Sequence, residues 1–383
     1  MRGKSSDQSL LFYTINVESR IRPDHPLRSL KEMIDGLLEE MSPLFATAYS
    51  RIGRPSVPPE RLLKALLLMA LYSVRSERQL VERIDTDLLF RWFLGMSPEE
   101  RVFDATALTH NRPRLDEHGL TAAFFDAVLV KAVRAGLCSD DHFSVDGSLI
   151  ESYASIKSFR PKEEDQRNSD GDSNSFKSRN AEVNFHGQTR TNDTHASKTD
   201  PEARLYRKGS GKEAKLSYIG HALTENRNGL VMGVTTTQAT GTAECEAALS
   251  MLDRLKARHD LAPKTLGSDK GFDSGPLFLQ LEQRGIEPHC AMLTQPIPNP
   301  KHVRRHRRDE VAARTRMRAR LESIAYQLSQ RCRKKIEEYF GWMKCVAGLS
   351  RSRWVGRWKL QQQLELTAAA YNLIRIRKLI PTN

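Results

Sequence analysis

Cysteine is scarce in this chain and its spacing pairs none of it. Cys138, Cys245, Cys290, Cys332 and Cys345 are scattered, and no two stand at the short separation that a zinc knuckle or a redox motif requires. The scarcity excludes a disulfide-stapled fold and suits a reducing compartment. Long hydrophobic runs are missing as well. The longest, Ala65 to Tyr72, is far too short to cross a bilayer, and Met1 to Ile15 holds only a brief apolar patch. A soluble, unexported, cytoplasmic protein is expected, with no membrane partner. Aromatic residues make up only 7%, and no basic amphipathic helix with an aromatic face stands out, which argues against an anionic membrane surface. With 39% apolar residues in 383, the chain can still bury a sizeable core and is long enough for two domains.

What the sequence does have is positive charge, concentrated in one place. The formal net charge is +13. From Lys301 onward there are 21 Lys and Arg against 6 Asp and Glu, whereas the preceding residues hold 39 against 41. A solvated charge run is the ordinary explanation of such a segment. Here the last fifth of the chain holds all the excess, which suggests a face for phosphates that includes Arg304, Arg305, Arg307 and Arg308. Nucleic acid is therefore the expected partner.

Residues 1–19 read as a polar leader. Beyond it, Leu27 to Leu38 and Pro58 to Tyr72 carry apolar residues at helical spacing, and the second opens on prolines that a first turn tolerates. Ser76 can cap a helix over Glu77 to Ile84, with further helices near Asp87 to Leu94, Thr106 to Leu115 and Thr121 to Ala135. Residues 20–137 are thus expected to form an all-helical domain for DNA binding or dimerisation. A second domain, 138–383, opens at His142, where Phe143 and Val145 alternate with Ser144 and Asp146, and Gly147 is expected to end the strand. Residues 160–213 are polar and charged and read as a long flap. Strands over Leu216 to Leu223 and Leu230 to Thr236 flank a turn at Glu225 to Gly229 and form a hairpin. A helix (Ala243 to Arg258), a strand (Lys264 to Ser268), a helix (Gly275 to Arg284), a strand (His289 to Leu293) and one long helix from about Glu322 to Val346 follow. This is the element order of the ribonuclease H-like fold, an α/β mixed sheet flanked by helices, although a generic α/β domain shares part of the series.

In that fold Asp146 at the first strand, Asp269 directly after the fourth and Glu337 on the final helix converge. One aspartate at a strand end is ordinarily a turn former or cap. Three carboxylates from separate elements can hold two Mg²⁺ ions roughly 3.5–4 Å apart, the arrangement that phosphodiester cleavage needs. At 100° per residue, Arg333, Glu337 and Lys344 share a helical face, so the two cations can bind phosphates beside the carboxylate. An ordinary salt-bridged helix surface has the same pattern. Asp141, Asp273 and Glu338 lie close by; the first precedes the strand, the second sits a turn too late, and Glu338 points away from the Arg333–Lys344 face. Gly209-Ser210-Gly211-Lys212 lacks the remaining residues of a phosphate loop, and His186 and His195 have no partners at metal-ligand spacing.

Asp146-Gly147-Ser148 with Ser155-Ile156-Lys157-Ser158-Phe159, then Ser268-Asp269-Lys270-Gly271-Phe272, then Ile336 to Lys344, resemble the insertion-sequence transposases with a DDE site. The likeness is strongest to the branch numbered five, related to the one numbered four. It extends to Gly53-Arg54-Pro55, to Tyr72 through Leu80 and to Ala370 through Arg375, and so covers nearly the whole chain. The related branch's helix signature places Tyr, Arg, Glu and Lys with two, three and six residues between them. Arg333, Glu337 and Lys344 match it, but Gln330 stands where the Tyr would be, which puts that residue's phosphate contact in doubt. The resemblance implies a bacterial, nucleoid-associated homodimer that binds the terminal inverted repeats of its own element. It implies hydrolysis of double-stranded DNA to expose a 3′-hydroxyl that attacks target DNA, with two Mg²⁺ ions, or Mn²⁺ in their place, and no covalent protein intermediate. Two rivals are a non-catalytic DNA-binding regulator, against which the intact trio speaks, and a ribonuclease H-like nuclease, which has no need of so large a helical region.

Overall fold

A computed structural model describes residues 16–50, 52–53, 55–162, 191–207 and 213–380. Eight helices open the chain: α1 (Val17–Arg20), α2 (Pro26–Glu40), α3 (Ser42–Ala48), α4 (Pro59–Leu71), α5 (Glu77–Thr86), α6 (Leu88–Leu94), α7 (Ala105–Glu117) and α8 (Leu120–Arg134). Several of their starts are set by side chains that accept otherwise unpaired backbone N–H groups. Ser76 accepts from Gln79, Asp87 from Leu89 and Asp104 from Thr106. α2 buries one stripe, Leu27, Leu30, Ile34, Leu37 and Leu38, whereas α4 is buried on every side from Leu62 to Ala70. The expected helices appear within about a turn. α1 and α3 were not expected, being too short to display a period.

The sheet is built from β1 (His142–Glu151), β2 (Phe159–Pro161), β3 (His195–Ser197), β4 (Arg204–Arg207), β5 (Ala214–Glu225), β6 (Val231–Gln238), β7 (Thr265–Ser268) and β8 (Glu287–Cys290). Six of these strands form the main sheet in the order β4-β5-β1-β7-β8, with β6 beside β5. β5 runs antiparallel to β1, β4 and β6, β7 runs parallel to β1, and β8 runs parallel to β7. Helices α9 (Ala243–His259), α10 (Gly275–Gln283), α11 (Arg308–Ala319), α12 (Ile324–Cys332), α13 (Lys334–Cys345) and α14 (Arg357–Leu379) complete the chain. This is the ribonuclease H-like arrangement, preceded by a helical region.

Four expectations need correction. Gly147 does not end β1, because residues 147–151 continue to pair with β5, from Gly147 opposite His221 to Glu151 opposite Ser217. Strand hydrogen bonds are made by the backbone, which a glycine supplies like any other residue. Residues 160–213 are not loop throughout: β2 and β3 pair into a ribbon and β4 joins the main sheet. The rest of that stretch, 163–190 and 208–212, lies outside the described residues and takes with it His186 and the Gly209 to Lys212 segment. The last strand spans Glu287–Cys290 and stops short of Leu293, whose N–H is instead donated to Asp273 at 2.8 Å. Finally, the single helix expected over 322–346 is two, α12 and α13, joined at Arg333.

One apolar cluster runs from Leu27 to Ile376, so the helical region and the sheet share a core. α14 joins them, packing on α2, α4 and α8 as well as on β6. Its Ala368-Ala369-Ala370 run is fully buried and permits close approach. Polar residues of the same helix satisfy the outer edge of β6, which would otherwise be left unpaired. The Asn372 amide exchanges two hydrogen bonds with the Val231 backbone, at 2.8 and 2.7 Å, and Gln361 accepts from Thr236 N–H at 2.7 Å. Among the described residues, no helix is long and apolar enough to cross a membrane.

Arg112 ties α5, α7 and α14 together from inside. It is 2% exposed, donates from Nε to Glu77 at 2.6 Å, and lies over the Trp354 ring with 4.7 Å to the centroid. Its carbonyl accepts from Gln362 at 2.9 Å. Removing one partner from a buried ion pair leaves an uncompensated charge, so Glu77→Ala is expected to cost about 3 kcal/mol or more in urea unfolding. A loss no larger than that of the exposed control Glu39→Ala would refute this account.

Candidate active site

The pairing of β1 with β7 sets His142, Phe143 and Ser144 opposite Thr265, Leu266 and Gly267. Continuing that register brings Asp146 level with Asp269, on parallel strands spaced by about 4.8 Å. β7 ends at Ser268, so the edge of β1 at Asp146 is uncovered on that side. Each carboxylate is oriented by backbone: Asp146 Oδ1 accepts from Gly147 N–H and Asp269 Oδ1 from Gly271 N–H, both at 2.8 Å. Glu337 arrives from α13, which packs on β1 and β5 by burying Ile336, Tyr339, Phe340 and Met343. With those residues inward, the Glu337 side chain is left 62% exposed. Arg333, at the α12–α13 joint, stands between two of the three, with Nη1 at 3.5 Å from Asp146 Oδ2 and Nη2 at 4.0 Å from Glu337 Oε1.

A fourth carboxylate, absent from the sequence expectation, belongs to this edge. Glu244, in the first turn of α9, lies so close to two glycines that a Cβ on Gly147 would sit 2.9 Å from its Oε1, and one on Gly271 would sit 3.0 Å from its Oε2. The same Cβ on Gly271 would be 3.0 Å from Asp269 Oδ1, and that on Gly147 would be 3.2 Å from Nδ1 of the buried His221. Bare backbone at 147 and 271 therefore lets the carboxylates approach. An acidic residue in a first helical turn ordinarily complements the helix dipole, and Glu246 in the same turn does so equally well, which is why the sequence pattern did not single Glu244 out.

The crowding is visible in the proton affinities. Burial and then Asp269 raise the Asp146 carboxyl to about 6, with Arg333 opposing and Glu337 adding to the shift. Burial, Asp269 and Asp146 raise Glu244 in the same direction. Hard oxygen donors carrying excess negative charge suit a divalent ion such as Mg²⁺. Among the described residues no three His, Cys, Asp or Glu are gathered tightly enough to hold one as they stand. The residues thus fit such an ion in donor chemistry and charge, and the exposed Glu337 has the freedom to close on it.

The remaining expected residues are dispersed. Lys344 lines a separate cleft with Arg75, Arg351 and Arg353. Arg304, Arg305, Arg307 and Arg308 are exposed at and before the start of α11, with Arg307 facing Glu310 at 3.7 Å. Gln330, where the signature has Tyr, donates to His289 O at 2.6 Å and so ties α12 to the end of β8. The carboxylates set aside have other partners: Asp141 pairs with Lys264 at 2.8 Å, Asp273 takes a two-pronged contact from Arg314, and Glu338 pairs with Arg375 at 3.2 Å. His195 stacks on Phe159, with ring centroids 5.4 Å apart.

Sheet order and a carboxylate-lined edge define a ribonuclease H-like protein. The family model described as Transposase DDE domain matches residues 155–373, more than half of the chain, and the one described as Transposase domain (DUF772) matches residues 15–114. The chain belongs to the transposase DDE domain family. Asp269 and Glu337 fall inside that match and Asp146 precedes it. No curated protein matches the chain in sequence. Among solved structures it is similar to a piggyBac transposase synaptic complex with hairpin DNA, at 10% identity over 92% of this chain and 75% of that one, with a TM-score of 0.38. It is also similar to a Mos1 transposase paired-end complex with the left transposon end, at 11% identity over 79% and 82%, with a TM-score of 0.20.

Because its folded-state pKa of about 6 lies above the ordinary value of 3.8, Asp146 binds more protons in the folded chain than in the unfolded one between those values. Stability contributed by the neutral form is therefore present at low pH and is lost as the pH rises through that window, on the order of 3 kcal/mol by neutrality. In chelator, Asp146→Asn should raise the melting temperature at pH 7.5 and have little effect at pH 4. Equal or opposite effects at the two pH values would show that the crowding is not destabilising.

Proposed function

We propose that the chain is a DNA transposase which binds the terminal inverted repeats of its own element as a homodimer, cleaves double-stranded DNA by metal-dependent hydrolysis and joins the resulting 3′-hydroxyl to target DNA. What supports this reading most is that Asp269 and Glu337 both raise the proton affinity of Asp146, with Arg333 reaching towards Asp146 and Glu337. Asp146, Asp269 and Glu337 would hold two Mg²⁺ ions, for which Mn²⁺ can substitute. When bound, such ions activate the attacking oxygen and stabilise the leaving one.

The chain's own contribution is position and charge. Asp146 and Asp269 are each oriented by a local backbone N–H, of Gly147 and Gly271, before DNA arrives. Glu337 adds a carboxylate that can rotate. Arg333 offsets part of the negative charge in the unloaded site, and its planar guanidinium is the group in this reading that takes the scissile phosphate, a contact that lysine cannot reproduce. Residues from Lys301 onward supply the general attraction for a polyanion, with Arg304, Arg305, Arg307 and Arg308 outermost. Helices within residues 20–137 serve DNA binding or dimerisation in this reading.

Replacing Asp146, Asp269 or Glu337 by Ala should reduce Mg²⁺-dependent nicking of DNA carrying the element's ends by roughly 10³-fold or more, with DNA affinity retained. Full activity in any of the three would remove that residue from the site. Arg333→Lys should slow single-turnover cleavage at saturating DNA more than it weakens binding. Removing Arg304, Arg305, Arg307 and Arg308 together should flatten the dependence of log affinity on log salt by about 0.9 for each phosphate no longer neutralised. An unchanged slope would mean that these four side chains are merely solvated.

A further inference from the structure

The cleft that receives Lys344 has a composition unlike any other part of the surface described above. Its volume is about 820 Å³, and its lining includes Arg75, Lys344, Arg351 and Arg353, with hydroxyls from Ser73, Ser155, Thr199 and Ser350, and no Asp or Glu among the described residues. Three separate segments build most of it: the α4–α5 turn, the chain just beyond β1, and the chain beyond α13.

The arginines of the walls are held by bonds that do not cancel their charge. Ser73, which holds a left-handed backbone at φ 54, donates from its hydroxyl to Val346 O at 2.6 Å and so fastens the helical region to the end of α13. Arg353 donates to Val74 O at 3.0 Å, and its guanidinium lies against Gly348, where a Cβ would come within 2.6 Å. Arg351 donates to the carbonyls of Ser152 and Tyr153, at 3.2 and 3.1 Å. Backbone carbonyls orient both guanidinium groups and leave them cationic. Burial and then Arg75 push the Arg353 guanidinium down, so the chain holds like charges together that an anion would relieve.

Position relative to the carboxylates narrows what that anion is. Lys344 lies seven residues beyond Glu337 on one helix, about 10 Å along its axis. Tyr153 lies seven residues beyond Asp146, at most about 23 Å along the chain, since β1 ends at Glu151 and the chain then bends. A DNA strand advances about 3.4 Å per nucleotide, so the cleft stands roughly three to seven nucleotides from a phosphate at the carboxylates.

We propose that this cleft is a phosphate-binding site for the sugar-phosphate backbone of the DNA substrate, gripping it a few nucleotides away from the bond to be cut. The inference rests on the reading of the chain as a DNA-cleaving enzyme and assigns Arg75, Arg351 and Arg353 to substrate positioning.

The test uses the full chain in chelator, where nothing is cleaved, and a 30-base-pair duplex of arbitrary sequence as probe, with affinity read by fluorescence anisotropy across a range of KCl. Arg75→Ala, at an exposed position, should flatten the salt slope by about 0.9, and Arg75→Ala with Arg351→Ala by about 1.8, while Arg75→Lys restores the wild-type slope. If the wild-type chain binds the duplex and the two alanine variants keep its slope, the cleft is not a DNA site and only this inference falls. If the wild-type chain does not bind duplex DNA at all, both this inference and the functional reading fall. Inorganic phosphate serves as a second probe: if millimolar phosphate raises the wild-type melting temperature but not that of the Arg75 variant, and the DNA slopes are equal, the cleft takes free phosphate and the proposal is overturned.

Discussion

Carboxylates repel one another, and the open edge of this sheet holds several of them side by side. Everything around that edge answers to the repulsion. Asp146 is held in β1 by its pairing with β5, and Asp269 follows directly on the end of β7, the strand parallel to β1. Glycine at 147 and 271 admits Glu244 to a space any other residue would fill. Arg333 supplies a guanidinium that reaches both Asp146 and Glu337. The strain is carried by a core that extends far beyond the sheet, and a site of this kind is stable only because so much else is buried behind it.

The helical region is part of that support. Arg112 and Ser73 reach from its helices to the segments around α13 and α14, one through a buried ion pair and an aromatic face, the other through a hydroxyl bonded to a carbonyl. Contacts of this sort hold two chain segments in a set orientation, whatever each contributes to stability. The walls of the cationic cleft come from both sides of the junction, so its shape exists only when the helices and the sheet are joined.

Much of this arrangement was legible in the sequence, for identifiable reasons. Long amphipathic helices declared their period, and Ser76 its cap. The hairpin of β5 and β6 followed from alternation around a turn rich in Asn and Gly. What escaped was set by partners distant in sequence. Gly147 looked like a stop because a turn residue was expected there, yet β5 pairs straight past it. The break at Arg333 leaves no mark, because the residue keeps helical backbone angles on both sides of the joint. Asp146, Asp269 and Glu337 were proposed from their places in the element order, and the structure shows Asp269 and Glu337 both acting on the Asp146 carboxyl. Glu244 could not be named that way, since its relevance depends on an approach through two glycines, one far before it in the chain and the other after it. Lys344 and Glu337 share a helix, but the helix alone does not tell that one faces the carboxylates and the other a separate cleft.

α14 packs on α4 and on β6, and its Asn372 completes the outer edge of the sheet. The ribosome reaches this helix nearly 290 residues after it has made α4, a delay of roughly 15–60 s at synthesis rates of about 5–20 residues per second. During that interval α4 lacks the part of its cover that α14 supplies, and the edge of β6, once made, is open for the last part of it. The order of synthesis therefore makes completion of the fold a late event, and a nascent chain holds its carboxylates on an unfinished sheet. Chaperone demand should follow from this timing, and a chain cut short before residue 357 would be left with an exposed helix and an open strand, two surfaces that favour aggregation over function.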